Sequence, residues 1–250
     1  MKSYFGTDKG KTRDMNQDYI FSSDTPVGML PNLYIVADGM GGYKAGDYAS
    51  RCCVEEFVGK MKTSDQPTII SRFEEALRIA NAAIVKSAAG NEEYTGMGTT
   101  IVAATVDGNR LYAMNVGDSR LYLVGQEIRQ VTVDHSYVEE LIRIGELNRQ
   151  DARLHPQKNT ITRAVGVENS VEPDFYEVEL EGDYRFALLC SDGLSNMMED
   201  EEIRHILMKN KENPEEALRQ MIETANNNGG KDNISAICIE FDGVGEERIG

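Results

Sequence analysis

The chain has 250 residues, a hydrophobic share of 40% and a formal charge of −16, which is enough apolar material for one substantial domain and excludes a disordered or fibrous chain. Its 42 acidic residues outnumber 26 Lys and Arg, which excludes non-specific attachment to nucleic acid or to an anionic membrane surface, since both need clustered cations. No apolar run approaches the roughly 18 residues that span a bilayer and the N-terminus lacks a charged-then-apolar signal pattern, so a cytoplasmic location with no membrane contact is expected.

SYFGT at 3–7, DYIFSS at 18–23 and NLYIVAD at 32–38 are short, β-branched or aromatic, and bounded by Gly, Pro, Asp or Ser, so they read as strands. Residues 45–62 and 68–89 carry apolar side chains three and four apart, as at Phe73, Leu77, Ala80 and Ile84, which predicts two long amphipathic helices. After GMGTT at 96–100 the pattern returns to strands in TIVAATVDGN, RLYAMNVGD and RLYLVGQEIRQVT. Asp107-Gly108 and Val124-Gly125-Gln126 between them are hairpin chemistry, so an antiparallel meander is expected.

Residues 136–165 change character: a short helix at 136–147, a polar stretch at 148–159, then TITRAVG. Long irregular insertions of this kind are often functional lids, so this subregion is expected to be a flap. The strands FYEVEL and RFALLCSD, helices at 200–209 and 214–227, the second with Pro214 in its first turn, and a last strand, NISAICIEF, complete the chain. Strands in hairpin order with helices in pairs predict an α+β fold. A single domain over 1–250 is expected, a four-layer α-β-β-α sandwich of two antiparallel sheets flanked by helices. Cys52, Cys53, Cys190 and Cys238 lack any paired CxxC spacing and read as reduced core residues.

Asp38 in IVADGMGG, Asp118 in NVGDSR, Asp192 in CSDGLS and Asp232 in GGKDN each close or follow an apolar run and precede Gly, Ser or Asn. A rigid scaffold presents oxygen ligands to a divalent cation in this way. Taken singly each has a plainer reading: Asp-Gly is a common turn pair, Asp118 suits a tight turn and Asp232 a loop. Their recurrence favours the metal. Gly39 leaves its carbonyl open to a cation or its water. With no His or Cys among them, the carboxylates select Mg²⁺ or Mn²⁺. Two such ions about 3.5–4 Å apart would activate a bridging water for in-line attack on phosphorus, so phosphoester hydrolysis is the implied reaction. Arg13 in TDKGKTRDMNQD is the candidate for the substrate phosphate, which guanidinium grips bidentately, though taken alone it reads more readily as a surface arginine among other charges.

TDKGKTRDMNQD at 7–18, VADGMGG at 36–42, GMGTT at 96–100, NVGDSR at 115–120, CSDGLS at 190–195 and GGKDN at 229–233 together resemble, in order and spacing, the bacterial type-2C metal-dependent serine/threonine protein phosphatases of the PPM family. The resemblance implies hydrolysis of phosphoserine and phosphothreonine in proteins, reversing a Ser/Thr kinase, at a two-metal centre between the sheets. By position, Asp38, Asp192 and Asp232 would be direct ligands with the Gly39 carbonyl. Asp118 with Asp192 would hold a third, weaker ion, Arg13 would bind the phosphate, and Asn233 completes the pattern after Asp232. The flap would influence substrate choice. The partners implied are phosphoproteins and a Ser/Thr protein kinase, and a monomer is expected.

The chain departs from the family at three places. Gln17 stands where an acidic residue often precedes Asp18, so a contact to the ions through water passes to an amide or to Asp18. Tyr43 replaces a His common in bacterial members. Met40 occupies the position of the general-acid His of eukaryotic members, so the leaving group must take its proton from elsewhere, a step typically worth about 10²–10⁴-fold. His135, His155 and His205 fall outside the metal motifs; the first two flank the flap and the third lies on a helical surface. A sensor that uses the fold without turnover, and a hydrolase of small phosphoesters or nucleotides, are the alternative readings. Turnover with Mn²⁺ separates the first, and phosphopeptide against nucleotide the second.

Overall fold

The computed structural model describes residues 1–42, 45–180 and 184–241, so Tyr43 lies outside the described residues. A five-stranded sheet runs β1 (Lys2–Asp8), β11 (Ile234–Glu240), β10 (Phe186–Cys190), β7 (Arg120–Val124) and β8 (Ile128–Gln130). A six-stranded sheet runs β2 (Asp18–Ser23), β3 (Leu33–Met40), β5 (Ile101–Asp107), β6 (Arg110–Val116) and β9 (Asp174–Glu179), with the two-residue β4 (Gly98–Thr99) paired to the end of β3. Every pairing is antiparallel.

The central strands are apolar throughout because both of their faces are covered. In β3, Leu33, Ile35 and Ala37 pack on α1 (Ala45–Met61) and α2 (Ile69–Gly90), while Tyr34 and Val36 face the other sheet. In β10, Phe186, Leu188 and Cys190 face α6 (Asp200–Lys209) and α7 (Pro214–Asn227), while Ala187 and Leu189 meet the six-stranded sheet. The period-two division of each strand thus builds three apolar layers between four structural ones, as expected from the sequence. Local signals agree: Thr68 and Ser71 form a reciprocal capping box at the start of α2, and Pro214 opens α7.

Two expectations need correction. The meander does not continue from β6 to β7, because the chain leaves the six-stranded sheet at Val116 and enters the five-stranded sheet at Arg120. Gly117, at φ 106°, makes that crossing, and a Cβ there would stand 2.5 Å from Thr100 Cγ2. The helix expected over 136–147 is shorter, α3 (Tyr137–Arg143), because Gly145 takes φ 79°, a left-handed angle that ends a helix. A further short helix, α4 (Arg149–Ala152), lies in the polar stretch, and a bridge between Ser136 and Ile161 joins the two ends of the excursion. Cys53, Cys190 and Cys238 are buried free thiols and Cys52 is half-buried on α1. No described helix is long and apolar enough to cross a membrane.

Candidate metal centre

The sequence-predicted carboxylates meet at one mouth of the seam between the sheets. Asp38 sits near the end of β3, in register with Asp18 at the start of β2. Its backbone is fixed from the GMGTT segment: its N–H donates to Thr100 Oγ1 (3.0 Å), and its carbonyl accepts from Thr100 N (2.9 Å) and Thr99 Oγ1 (2.9 Å). Thr100 Oγ1 also shares a hydrogen bond with Ser119 Oγ at 2.8 Å, which ties Asp38 to the crossing that carries Asp118.

Asp192 follows β10 and opens the single-turn α5 (Asp192–Ser195). Before it, Ser191 N donates to the Ser235 carbonyl of β11 (3.0 Å), while Ser191 Oγ accepts from Ser235 N (3.0 Å) and donates to Asp18 Oδ2 (2.8 Å). Asn196 Nδ2 donates to Asp192 Oδ2 at 2.9 Å. A Cβ on Gly193 would lie 1.9 Å from the Asn233 carbonyl oxygen, so only glycine lets α5 rest on the start of β11. Asp232 precedes β11, and Arg13 Nη2 donates to its Oδ2 at 2.6 Å. Asn233 accepts from Gln17 N (2.8 Å) and donates to the carbonyls of Lys9 and Met15 (2.9 Å each), which pins the loop that carries Arg13.

Asp38, Gly39, Asp118, Asp192, Asp232, Arg13 and Gln17 all line one pocket of about 220 Å³, with Met40, Thr100 and Asn159 among its other walls. Asp18, Asp118 and Asp192 are buried and Asp38 and Asp232 half-buried. Burial, with neighbouring carboxylates adding to it, pushes Asp18 up to about 7 and Asp192 up to about 6, and raises Asp38 and Asp118 above the ordinary carboxylate range. Asp18 Oδ1 and Asp192 Oδ1 are buried without a hydrogen-bond partner. A set of crowded carboxylates with orphaned oxygens and no imidazole or thiolate fits a hard divalent cation. Among the described residues, no three such side chains are gathered closely enough to cage an ion as they stand. The Arg13 guanidinium is the cation that meets Asp232, at 2.6 Å.

Residues 9–234 match the family Protein phosphatase 2C. The chain belongs to the protein phosphatase 2C family. Metal-dependent dephosphorylation of proteins is general in that family. The chain is similar to the serine/threonine phosphatase stp of Listeria monocytogenes serovar 1/2a, with 40% identity over 97% of this chain and 96% of that one. The structure of serine/threonine phosphatase Stp1 from Staphylococcus aureus superposes with a TM-score of 0.90 at 33% identity, covering 97% of this chain and 95% of that one. The catalytic domain of the serine threonine protein phosphatase PstP in complex with two manganese ions does so with a TM-score of 0.81 at 31% identity, covering 96% and 97%.

In this 2C-family chain the Gln17 amide lies against Gly46, while its carbonyl accepts from Gly39 N (3.1 Å) and Ser50 Oγ (2.6 Å). His135 is not in the pocket but is buried behind it. Its backbone N–H donates to Gly117 O (2.9 Å) and its Nδ1 accepts from Gly117 N (3.1 Å), while Nε2 lies 3.2 Å from both Asp174 Oδ2 and Arg163 Nη1. Burial, together with the Arg163 charge, lowers its pKa despite Asp174, so it clamps the crossing as a neutral ring. His155 is half-buried beside Tyr137, and His205 is exposed.

Several 2C-family site residues escaped the sequence reading: Thr100, Ser119, Ser191 and Asn196, which hold the aspartates, and Lys158, which lines a neighbouring hollow with Arg13, Asp192 and Asp232. Ser119 and Ser191 stood next to aspartates in the motifs already singled out, and that adjacency was the available signal; Thr100 closes the GMGTT motif, which carries no aspartate. Lys158 lay in a polar stretch without periodicity and offered none.

Proposed function

We propose that this 2C-family enzyme hydrolyses phosphoserine and phosphothreonine in proteins at two Mn²⁺ or Mg²⁺ ions, with a third held more weakly, opposing a Ser/Thr protein kinase in the cytoplasm as a monomer. Asp38, Asp192 and Asp232 would hold the pair with the Gly39 carbonyl, and Asp118 with Asp192 the third ion. The observation that carries this reading is the convergence of these carboxylates on one pocket, with Asp192 Oδ1 and, on neighbouring Asp18, Oδ1 buried without a partner. When bound, such ions supply Lewis acidity toward phosphoryl oxygens and activate water as the nucleophile.

The chain's own groups divide the remaining work. Arg13 stands in the same pocket and has a guanidinium to offer a phosphate in place of Asp232. Asp18 and Gln17 lie behind the ligands, where a carboxylate and an amide can hold water. Asn233 fixes the Arg13 loop rather than touching the substrate. Met40 faces the pocket without a proton to give. The whole chain acts as one domain, with 136–165 as a flap beside the pocket; Asn159 and Ile161 already form part of its wall.

The test is turnover of a phosphothreonine peptide, p-nitrophenyl phosphate and a nucleotide across a Mn²⁺ and Mg²⁺ titration. Metal-dependent turnover favouring the peptide over the nucleotide is expected, with Asp38→Ala and Asp192→Ala at least about 10³-fold slower, since a lost ion removes several kcal/mol of charge stabilisation. Full activity of metal-stripped protein in chelator would refute the mechanism.

A further inference from the structure

Val167 is 57% exposed, though it is apolar. It stands in the wall of a cleft of about 570 Å³, larger than the acidic pocket, where Met40, Ile161 and Val171 supply further apolar surface and Glu168 and Glu172 the acidic rim. Met40 and Ile161 also line the acidic pocket, so the two hollows share a wall. At Gly98 a Cβ would meet Val167 Cγ2 at 2.8 Å and Met40 Cε at 3.0 Å, so glycine lets these two side chains converge on the divide.

The cleft is built in advance. Asn81 of α2, only 2% exposed, accepts from Gly166 N (2.7 Å) and donates to the carbonyls of Glu168 (2.9 Å) and Asn169 (3.2 Å). Val165 pairs with Thr99. The wall is therefore fastened to both a helix and a strand of the scaffold. Its charge is one-sided: among the described residues Glu168 and Glu172 form no ion pair, whereas Arg163, the cation of the cleft, is held by Asp174 at 2.9 Å.

We propose that this cleft seats the residues flanking the phosphorylated side chain of a protein substrate. An apolar neighbour would lie against Met40 and Val167, and a Lys or Arg would meet Glu168 and Glu172. The inference rests on the phosphatase reading of the adjoining pocket. An extended peptide advances about 3.3 Å per residue, so a chain anchored by its phosphate reaches the shared wall within a few residues. Two carboxylates at the rim select against acidic flanks.

Two phosphothreonine peptides test it, identical except that Arg or Glu occupies the positions two to four residues away on both sides. They are assayed with p-nitrophenyl phosphate on the Mn²⁺-loaded wild type and on the double variants Glu168→Gln/Glu172→Gln and Glu168→Lys/Glu172→Lys. The wild type should prefer the Arg peptide in kcat/KM by about two- to tenfold, the scale of two exposed ion pairs. The Gln variant should lose that preference, the Lys variant should reverse it, and p-nitrophenyl phosphate turnover should not change. An Arg-to-Glu preference that is the same in all three proteins, with turnover intact, overturns this inference alone. Absence of any turnover in the wild type overturns the phosphatase reading and the inference together.

Discussion

Gly193→Ala is the sharpest test of how the centre is held. The new Cβ would lie 1.9 Å from the Asn233 carbonyl oxygen and 2.8 Å from its carbon, both backbone atoms, so no side chain can swing aside. Reaching even the 3.0 Å that real Cβ atoms keep requires α5 and the start of β11 to part by about 1.1 Å. Those two segments carry Asp192 and Asp232. Overpacking of this kind costs about 1–3 kcal/mol, and in a chain of this size each kcal/mol lowers Tm by roughly 2–4 °C. The same displacement in a reacting constellation costs about 10²-fold in kcat. Thermal unfolding and a Mn²⁺ titration of p-nitrophenyl phosphate turnover measure both, and the half-saturating Mn²⁺ concentration should rise. A variant with wild-type Tm, kcat and Mn²⁺ half-saturation would show that the α5–β11 contact does not set the ligand geometry.

Gly59→Ala is the matched control: it is exposed on α1 with nothing within 4 Å of a new Cβ, so thermal unfolding should show stabilisation of about 0.5–1 kcal/mol with unchanged turnover. His135→Ala leaves the buried Gly117 N–H without its acceptor, which should cost about 1–3 kcal/mol; denaturant unfolding gives the loss, and calorimetry should show weaker Mn²⁺ binding because Asp118 follows Gly117. In chelator, stability should fall as pH rises from about 4 to about 7. Asp18 at about 7 and Asp192 at about 6 hold protons in the folded state that the unfolded chain, at 3.8, has released. Urea unfolding at pH 5 and pH 7.5 checks the sign, and saturating Mn²⁺ should restore the stability lost at pH 7.5; a rise between those pH values without metal would contradict it.

The layers of the fold were legible because each central strand carries two apolar faces and each outer helix one, and those periods survive in the linear sequence. The break between β6 and β7 was not legible, since RLYAMNVGDSRLYLV contains two strands and a turn whichever sheet the second strand joins. What decides it is long-range: β7 pairs with β10 in the register Leu121 to Leu189, a partner far along the chain. At the site, the aspartates announced themselves by following apolar runs. Their supports did not, because Thr100, Ser119 and Ser191 act through bonds to residues distant in sequence, as with Ser191 to Asp18 across 173 positions. Asp18 read as a contact to the ions through water at most, and only the pairing with β3 sets it opposite Asp38.

The break in the meander and the crowding of the carboxylates have one cause. Sending β7 to the other sheet places Asp118 on a tether between the layers, so the same crossing that closes the sandwich also delivers a carboxylate to the seam. Asp38 and Asp18 come from one sheet, and Asp192 and Asp232 flank the central strands of the other. Buried carboxylates in such company oppose the packing of the layers they stand on, and raised pKa values are the sign of that opposition. A divalent cation held there, as proposed, would reverse it, turning repulsion across the seam into a bridge between sheets. On that proposal metal affinity and closure of the sandwich at this mouth are one equilibrium, and a substitution that loosens either sheet here, even one remote from any carboxylate, should weaken Mn²⁺ binding.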